Sequence, residues 1–519
     1  MKSKILINCI LFLLFTSTSI FITSFAFSQN QHKTNKLEHN ADIQPISPFE
    51  ENPFYFSWKG EPVFLLGAAN FHSWTPISRP DNVDINKQMD RLADVMEEVN
   101  SPHVLGFVRC LPYDPANHMH DGHVPTVLQP WEKTKDGRYD LTRFNPSWES
   151  RLHKYLTAAL EREIIVSLEV WDDWSITRGP EGQYDPGPEG AWNAHPFNPK
   201  NNINFGESIL PTTTSACGAP FSSTIPSDKN IKTVLTLQKN YVDRLMDIAD
   251  NYPNVIINIS NESRASLRWS LYWAKYIHEK LPSEYMVGDM PSTNRKNGGG
   301  QCQYKFSPLT LSMDPHYDYA DISQAVSGHE FNKITDQAIK GAERINSYRQ
   351  SMLSKGKKKP LVVSKDYTRD EQGGRMIIWS RFIGGAASAR FHRPSGDHGA
   401  DVVNFQHEAV KKLGKFISTL PFWKMAPVPE KIRSLPDGVR ANLMAQEDGH
   451  FVAQVINGKK GEEISLKTAP GKWIARWIPP KEPEESFKRT YKSNGSIRIE
   501  IPENLKHQIL HLYPQNQNQ

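Results

Sequence analysis

The stretch Val255-Ile256-Ile257-Asn258-Ile259-Ser260-Asn261-Glu262 holds the residues best suited to chemistry. Its apolar, β-branched start is the pattern of a strand buried on both faces. The run ends in a polar tip, and a helical pattern follows from Arg264. Ligands of parallel α/β sheets sit at the carboxyl ends of the strands, which puts Glu262 at the mouth of a site. A carboxylate there, beside an amide that can bond a hydroxyl, suits general acid/base work on a sugar bond. The plainer alternative is that Asn261 and Glu262 open the next helix, whose first turn favours acids.

Retaining cleavage of a glycosidic bond needs two carboxyl groups roughly 5 Å apart. The apolar run Leu361-Val362-Val363-Ser364 leads to Lys365 and Asp366, and Asp366 is the expected partner, as nucleophile or base. An ion pair with Lys365 or Arg369 is the alternative for that acid. Asp is one methylene shorter than Glu, which widens the gap and favours an intervening water and inversion. Glu371 and Glu169 stand in reserve.

His72 and Trp74, Arg109, Trp171 with Asp172 and Trp174, His316 with Tyr317, and Arg390 with His392 collect near other expected strand ends. Trp and Tyr rings stack on sugar faces, while His and Arg bind hydroxyls or an anionic substituent such as a uronate or sulfate. Each residue alone reads equally well as core or surface; their recurrence at one end of successive strands makes the substrate-binding set. His118, His120 and His123 are spaced like metal ligands, but the loop offers no fourth ligand, and no metal or cofactor is expected. The chain has no Gly-x-Ser-x-Gly elbow, phosphate loop or dinucleotide fingerprint.

Positioning these residues requires alternating strands and helices. Apolar runs at Val63–Ala69, Val104–Arg109, Ile164–Trp171, Val255–Ser260, Met286–Asp289, Leu309–Met313, Leu361–Ser364 and Gly385–Phe391 alternate with stripes of helical period. Examples are Ile85, Met89, Leu92 and Met96, or Trp148, Leu152, Tyr155 and Ala159. Eight such units before residue 424 predict a (β/α)8 barrel over 47–424. An open doubly wound sheet is the structural rival. Two insertions, Asp172–Asn230 and Pro291–Pro308, fall on the carboxyl side, where loops shape substrate sites. Beyond a linker at Ala426–Pro429, short alternating runs separated by Asp448-Gly449, Asn457-Gly458 and Asn494-Gly495 predict a small β-sandwich over 430–515.

The chain of 519 residues is long enough for both parts, and 38% hydrophobic with 23% charged residues describes a soluble globular protein. Lys2, Lys4, an apolar run and Ala26-Phe27-Ser28 predict a signal peptide over 1–28 and a secreted or periplasmic product; a retained anchor is the alternative. Residues 29–46 read as a disordered lead-in. No later run approaches the ~20 apolar residues of a membrane span. The net charge of +4 is too small to argue for nucleic acid. Cys9 leaves with the signal, so at most one disulfide forms, and Cys217–Cys302 is conceivable. Oligomeric state is not legible.

With these parts placed, the chain resembles the retaining-clan (β/α)8 glycoside hydrolases, in particular the apiosidase-like group. Gly60-x-Pro62-Val63-Phe64-Leu65-Leu66-Gly67 looks like that group's opening hairpin and first strand. Asn261-Glu262 is similar to the clan's Asn-Glu at the fourth strand. The likeness implies Glu262 as acid/base and Asn261 as ligand of a sugar 2-hydroxyl. Gly384-Gly385-Ala386-Ala387 looks like the lead into the eighth strand. Ala475-Arg476-Trp477-Ile478-Pro479-Pro480 resembles the β-domain, labelled collagen-binding, often fused to these barrels. The chain departs from the clan at Ser263, where Pro is frequent, and at Asp366, where Glu stands; Ala68-Ala69-Asn70 lacks the acid often found there. The expectation is a glycoside hydrolase acting on a plant or algal polysaccharide or oligosaccharide. A non-catalytic glycan-binding barrel and a polysaccharide lyase are the rivals.

Overall fold

The structure is a computed structural model. It describes residues 43–68, 77, 84–113, 128–173, 191–213, 219–282, 284–292, 307–326, 331, 333–368, 370–394, 404–447, 449–479 and 487–515. His72, Trp74, His118, His120, His123, Trp174, Cys217 and Cys302 lie outside them. Cys110 is buried and free. No helix among the described residues is long and apolar enough to cross a membrane.

The barrel opens with a hairpin. Phe56–Trp58 pairs antiparallel with β1, Glu61–Gly67, across Lys59 and Gly60. Both turn residues have positive φ, 51° and 85°, as a tight two-residue hairpin requires. From β1 the chain builds a parallel ladder through β2 (Val104–Cys110), β3 (Ile165–Asp172), β4 (Val255–Asn261) and β5 (Val287–Gly288). β6 (Ala320–Asp321) and β7 (Leu361–Val362) pair in parallel, and β8 (Ser388–Pro394) pairs with β1. Backbone bonds close the two seams. Asp318 N donates to Val287 O at 2.7 Å between β5 and β6, and Ala387 N to Leu361 O at 2.8 Å between β7 and β8. The result is a ring of eight parallel strands, the (β/α)8 barrel expected from the alternation.

Among the described residues, seven helices of twelve residues or more connect or flank the strands: α1 (Ile85–Val99), α2 (Pro146–Leu160), α3 (Lys232–Ala249), α4 (Leu267–His278), α5 (Ile334–Leu353), α6 (Glu371–Ile383) and α7 (Asn404–Ile417). Their ends are written in the sequence. Asp84, Asn145, Ser266 and Asp370 each accept from a backbone N–H of the first turn, satisfying donors that a helix start leaves without partners.

The sixth unit differs from expectation. Leu309–Met313 is not a strand; Pro308–Met313 is a short helix, with Ser307 capping Thr310 N and Pro308 in its first turn. A brief apolar run does not distinguish strand from helix, whereas Ser-Pro at its start favours the helix. The strand is Ala320–Asp321, two residues long and without an apolar run to mark it.

The carboxyl-terminal part is a sandwich of antiparallel sheets. Six strands run in the order Met425–Pro427, Arg440–Gln446, Phe451–Gly458, Leu505–Pro514, Gly471–Ile478, Phe487–Ser493. Three more, Ile432–Ser434, Glu463–Lys467 and Ser496–Glu500, form the second sheet. Phe451, Val455, Leu466, Trp473, Ile499 and Leu512 share the core between them. Ala426 and Pro427, expected in a linker, belong to an edge strand paired with Ala445 and Met444. Pro is tolerated there because an edge leaves N–H groups outside the ladder.

This sandwich rests on the barrel's helices α5, α6 and α7. Gln454 Nε2 donates to Met376 O at 2.7 Å, Arg440 pairs with Asp336 at 2.5 Å, and Ile456 packs with Ala338, Ile339 and Met376. His511 meets Phe416 edge-on at 5.3 Å and shares a 2.8 Å ring-nitrogen contact with His450.

Burial pushes the His507 and His511 pKa values from 6.5 down to about 3. Between those values the unfolded chain binds protons that the folded chain refuses. Stability is therefore complete above pH 6.5 and declines as pH falls, by up to about 1.4 kcal/mol per pH unit per histidine. Thermal melts from pH 7 to pH 4 are expected to show a falling Tm, with a shallower fall for His511→Phe. An unchanged slope in that variant rules out this source of acid lability.

Candidate active site

β4 is buried along its whole length, and the residue after it, Glu262, has φ 49°, the left-handed region that a residue other than glycine enters at a cost of about 1–3 kcal/mol. Three backbone bonds hold this turn in place. Ser263 N donates to Met290 O at 2.8 Å, Ser292 N to Ser263 O at 2.9 Å, and Arg264 N to the Asp173 carboxylate at 2.6 Å. Asp173 also accepts from Ala219 N at 2.9 Å, tying the long insertion after β3 to the β4 tip. Burial raises the Asp173 pKa, and the backbone donors at Ala219 and Arg264 oppose that rise.

The Asn261 amide is fixed at both ends. Its oxygen accepts from Arg109 Nη2 at 2.9 Å and from Lys365 Nζ, and its Nδ2 donates to Asp172 at 2.9 Å. Glu262 Oε1 accepts from Lys365 Nζ at 2.7 Å and from the Tyr367 hydroxyl at 3.2 Å. The His392 ring meets Tyr367 edge-on, centroids 4.8 Å apart. Beneath them, Arg109 Nε donates to Glu169 at 2.7 Å, both side chains fully buried. Burial lowers the Lys365 pKa, with the Glu262 charge pulling the other way. Five strands, β2, β3, β4, β7 and β8, thus bring Arg109, Asp172, Asn261, Glu262, Lys365, Tyr367, Arg390 and His392 to the carboxyl end of the ring.

Asp366 is not among them. The short strand Asp366–Thr368 runs parallel to β8, and its side chains alternate. Lys365 and Tyr367 reach Glu262, so Asp366 between them points the other way, toward α6. There Arg381 Nε and Nη2 both donate to its Oδ1, at 2.9 and 2.7 Å, with neither side chain exposed. Burial raises the Asp366 pKa and Arg381 counters it. The expected catalytic partner is an interior ion pair. The reserves fare no better: Glu169 is committed to Arg109, and Glu371 is half-exposed at the start of α6, bonded to Arg375.

Three further expectations are corrected. Trp171 lies in an aromatic cluster outside the ring, with Tyr241 at 5.0 Å, Phe221 at 5.4 Å and Trp273 at 5.6 Å. Its volume is absorbed by α3, α4 and the insertion. His316 and Tyr317 precede β6 and so stand at the amino side of the strands. His316 bonds Asp314 at 2.9 Å, and the Tyr317 hydroxyl contacts Ser270 Oγ at 2.7 Å. Taking Leu309–Met313 for the strand moved both to the wrong end. Lys365, Tyr367, Asp173 and Arg381 were missed. The two-residue alternation across 365–367 was the available signal, since it forbids Asp366 from sharing a face with either neighbour. Among the described residues no group of His, Cys, Asp or Glu could hold a metal ion.

No protein-family model and no curated protein matches this chain in sequence. Solved structures do resemble it. One described as a glycoside hydrolase aligns over 92% of this chain and 98% of its own, with TM-score 0.54 and 12% identity. A glycoside hydrolase family 5 protein from Bacteroides vulgatus aligns over 92% and 95%, with TM-score 0.57 and 12% identity. At that identity the fold is what is shared, across nearly all of each chain.

Removing one member of a buried ion pair strands the other charge, at about 3–5 kcal/mol. Arg381→Met is therefore expected to be severely destabilised in denaturant titration. The double variant Arg381→Met/Asp366→Leu should recover most of the loss. If the double variant is no better than the single, Asp366 does more than answer Arg381.

Proposed function

We propose that the protein is an exported glycoside hydrolase of the apiosidase-like kind, acting on a plant or algal polysaccharide or oligosaccharide. The observation that carries this reading is the placement of Glu262. A carboxylate is held in a costly backbone conformation at the carboxyl end of β4 by three hydrogen bonds to the backbone around it, next to an amide whose orientation is fixed by partners from three other strands. Strain retained by that much surrounding structure marks a position where geometry matters to function. The shared glycoside-hydrolase fold agrees with it.

The chemistry follows from the partners. Lys365 at 2.7 Å favours the ionised form of Glu262. An ionised carboxylate stabilises positive charge developing at an anomeric carbon and takes up a proton from the attacking group. That weights Glu262 toward the base half of the acid/base role. The Tyr367 hydroxyl and the His392 imidazole are the protic groups beside it for the leaving oxygen. Asn261 keeps one amide hydrogen for a sugar hydroxyl.

One observation favours a second reading, a glycan-binding barrel without turnover. Lys365 stands opposite Glu262 where a two-carboxylate mechanism needs its other acid, and Asp366 is turned away. Release of reducing ends from a panel of plant and algal polysaccharides separates the two. Glu262→Gln is expected to lower turnover at least about 10³-fold, a barrier increase of about 4 kcal/mol, with Tm unchanged within a few degrees. Retarded migration in polysaccharide gels without any release of reducing ends by the wild-type protein replaces the hydrolase reading with the binding one.

A further inference from the structure

Arg381, Arg109 and Arg390 are buried in and against the strand ring, and the way the first two are used identifies the task of the third. Arg381 turns its Nε–Nη2 edge to the Asp366 carboxylate, and Arg109 turns the same edge to Glu169, at 2.7 and 2.5 Å. That edge presents two parallel N–H groups matched to the two oxygens of a planar carboxylate. Arg390, on β8, is 3% exposed. Its hydrogen bond among the described residues is from Nη1 to Ser364 O at 3.0 Å, and its Nε is buried without a partner. The Nη1 anchor thus leaves the carboxylate-binding edge of Arg390 unused.

The position is built for this guanidinium. Its stem crosses β1 at Gly67, where a Cβ would come within 2.6 Å of Arg390 Cγ and 2.2 Å of Phe107 O. No side chain fits there, so glycine is required for the arginine to lie across the ring. Among the described residues none of the nearby carboxylates is bonded to Arg390: Glu169 gives Oε1 to Arg109 and keeps Oε2 buried without a partner, Glu262 faces Lys365, and Asp321 accepts from the hydroxyls of Ser323 and Ser364. Burial and the neighbouring Arg109 lower the Arg390 pKa to about 9, with Tyr155, Glu169 and Asp321 opposing the fall, and it stays cationic at neutral pH. Those charges compensate the buried cation in part, and a carboxylate bonded to its free edge would complete the pairing. Ser364, which anchors Arg390, directly precedes Lys365, the partner of Glu262, so such an anion lies beside the proposed reaction centre.

We propose that the Nε–Nη2 edge of Arg390 binds the carboxylate of a uronic acid residue in the substrate. This assignment rests on the reading of the ring mouth as a sugar site and narrows its substrate class to acidic glycans. A methyl ester has nearly the same shape as the uronate but no charge, and it offers a weaker match to the guanidinium edge.

The test is calorimetric titration of the full chain with trigalacturonate, with glucuronate and with the methyl ester of each. The acid is expected to bind at least tenfold more tightly than its ester in at least one pair. Arg390→Gln should erase that preference, chiefly by weakening binding of the acid, and Arg390→Lys, which keeps the charge but not the fork, should retain part of it. Equal affinity for acid and ester in the wild type, no binding of either, or a preference that survives Arg390→Gln each overturns the assignment. Activity of the wild-type protein keeps the two questions apart. A preference for the acid in a wild-type protein that releases no reducing ends sinks the hydrolase reading and leaves Arg390 in its role. Hydrolysis of neutral glycans without any preference does the reverse.

Discussion

An ammonium and a carboxylate share the open end of the strand ring at 2.7 Å, and the arrangement of nearly every neighbouring side chain follows from keeping that pair together. Lys365 is almost fully buried and would lose its proton or its place without an acceptor. It has two, the Glu262 carboxylate and the Asn261 amide oxygen, and these come from consecutive residues at the β4 tip. For both to face one ammonium group, the chain must leave strand geometry immediately after Asn261. The left-handed backbone of Glu262 is that departure.

A turn of this kind is stable only if its surroundings specify it more strongly than the alternatives. Here the specification comes from both sides. The β5 side supplies Met290 O and the bridge between Ser263 and Pro291, and the β3 side supplies the Asp173 carboxylate. Asp172 and Asp173 therefore divide the labour at the end of β3: the first holds the amide of Asn261, and the second holds the backbone just past Glu262. Neither needs to touch substrate to matter.

Much of this was legible in the sequence, and the exceptions have a common cause. The β4 run with its Asn-Glu tip, the hairpin at Lys59-Gly60, the helix caps and the Asn494-Gly495 turn are all local signals, and the chain folds as they indicate. What local pattern does not carry is which way a residue faces at the end of a very short strand. β6 and β7 are two residues long, too short for periodicity to show. At β7 the neighbours Lys365, Asp366 and Tyr367 are all chemically plausible, and only pairing with β8 decides that the acid faces the helices. Trp171 failed for a related reason. A large ring near a strand end satisfies either a sugar or a helix layer, and the aromatic residues that claim it come from α3, α4 and the insertion, far away in sequence.

The helix layer explains why an interior ion pair sits behind the site. From Gly373 to Ile383 every residue of α6 is buried. A helix covering a barrel ordinarily shows solvent one polar face. Here the sandwich occupies that face, with Gln454 bonded to Met376 O and Ile456 packed against its side chain. Covered on both sides, α6 can place Arg381 fully out of water, where it needs a carboxylate, and Asp366 supplies one. Fixing Asp366 fixes the two residues flanking it, and those are the two that hold Glu262. The sandwich is thus mechanically continuous with the ring mouth through one helix and one ion pair. Its contribution to the site is the dry environment that makes the Arg381–Asp366 anchor rigid, whatever else its outer surface binds.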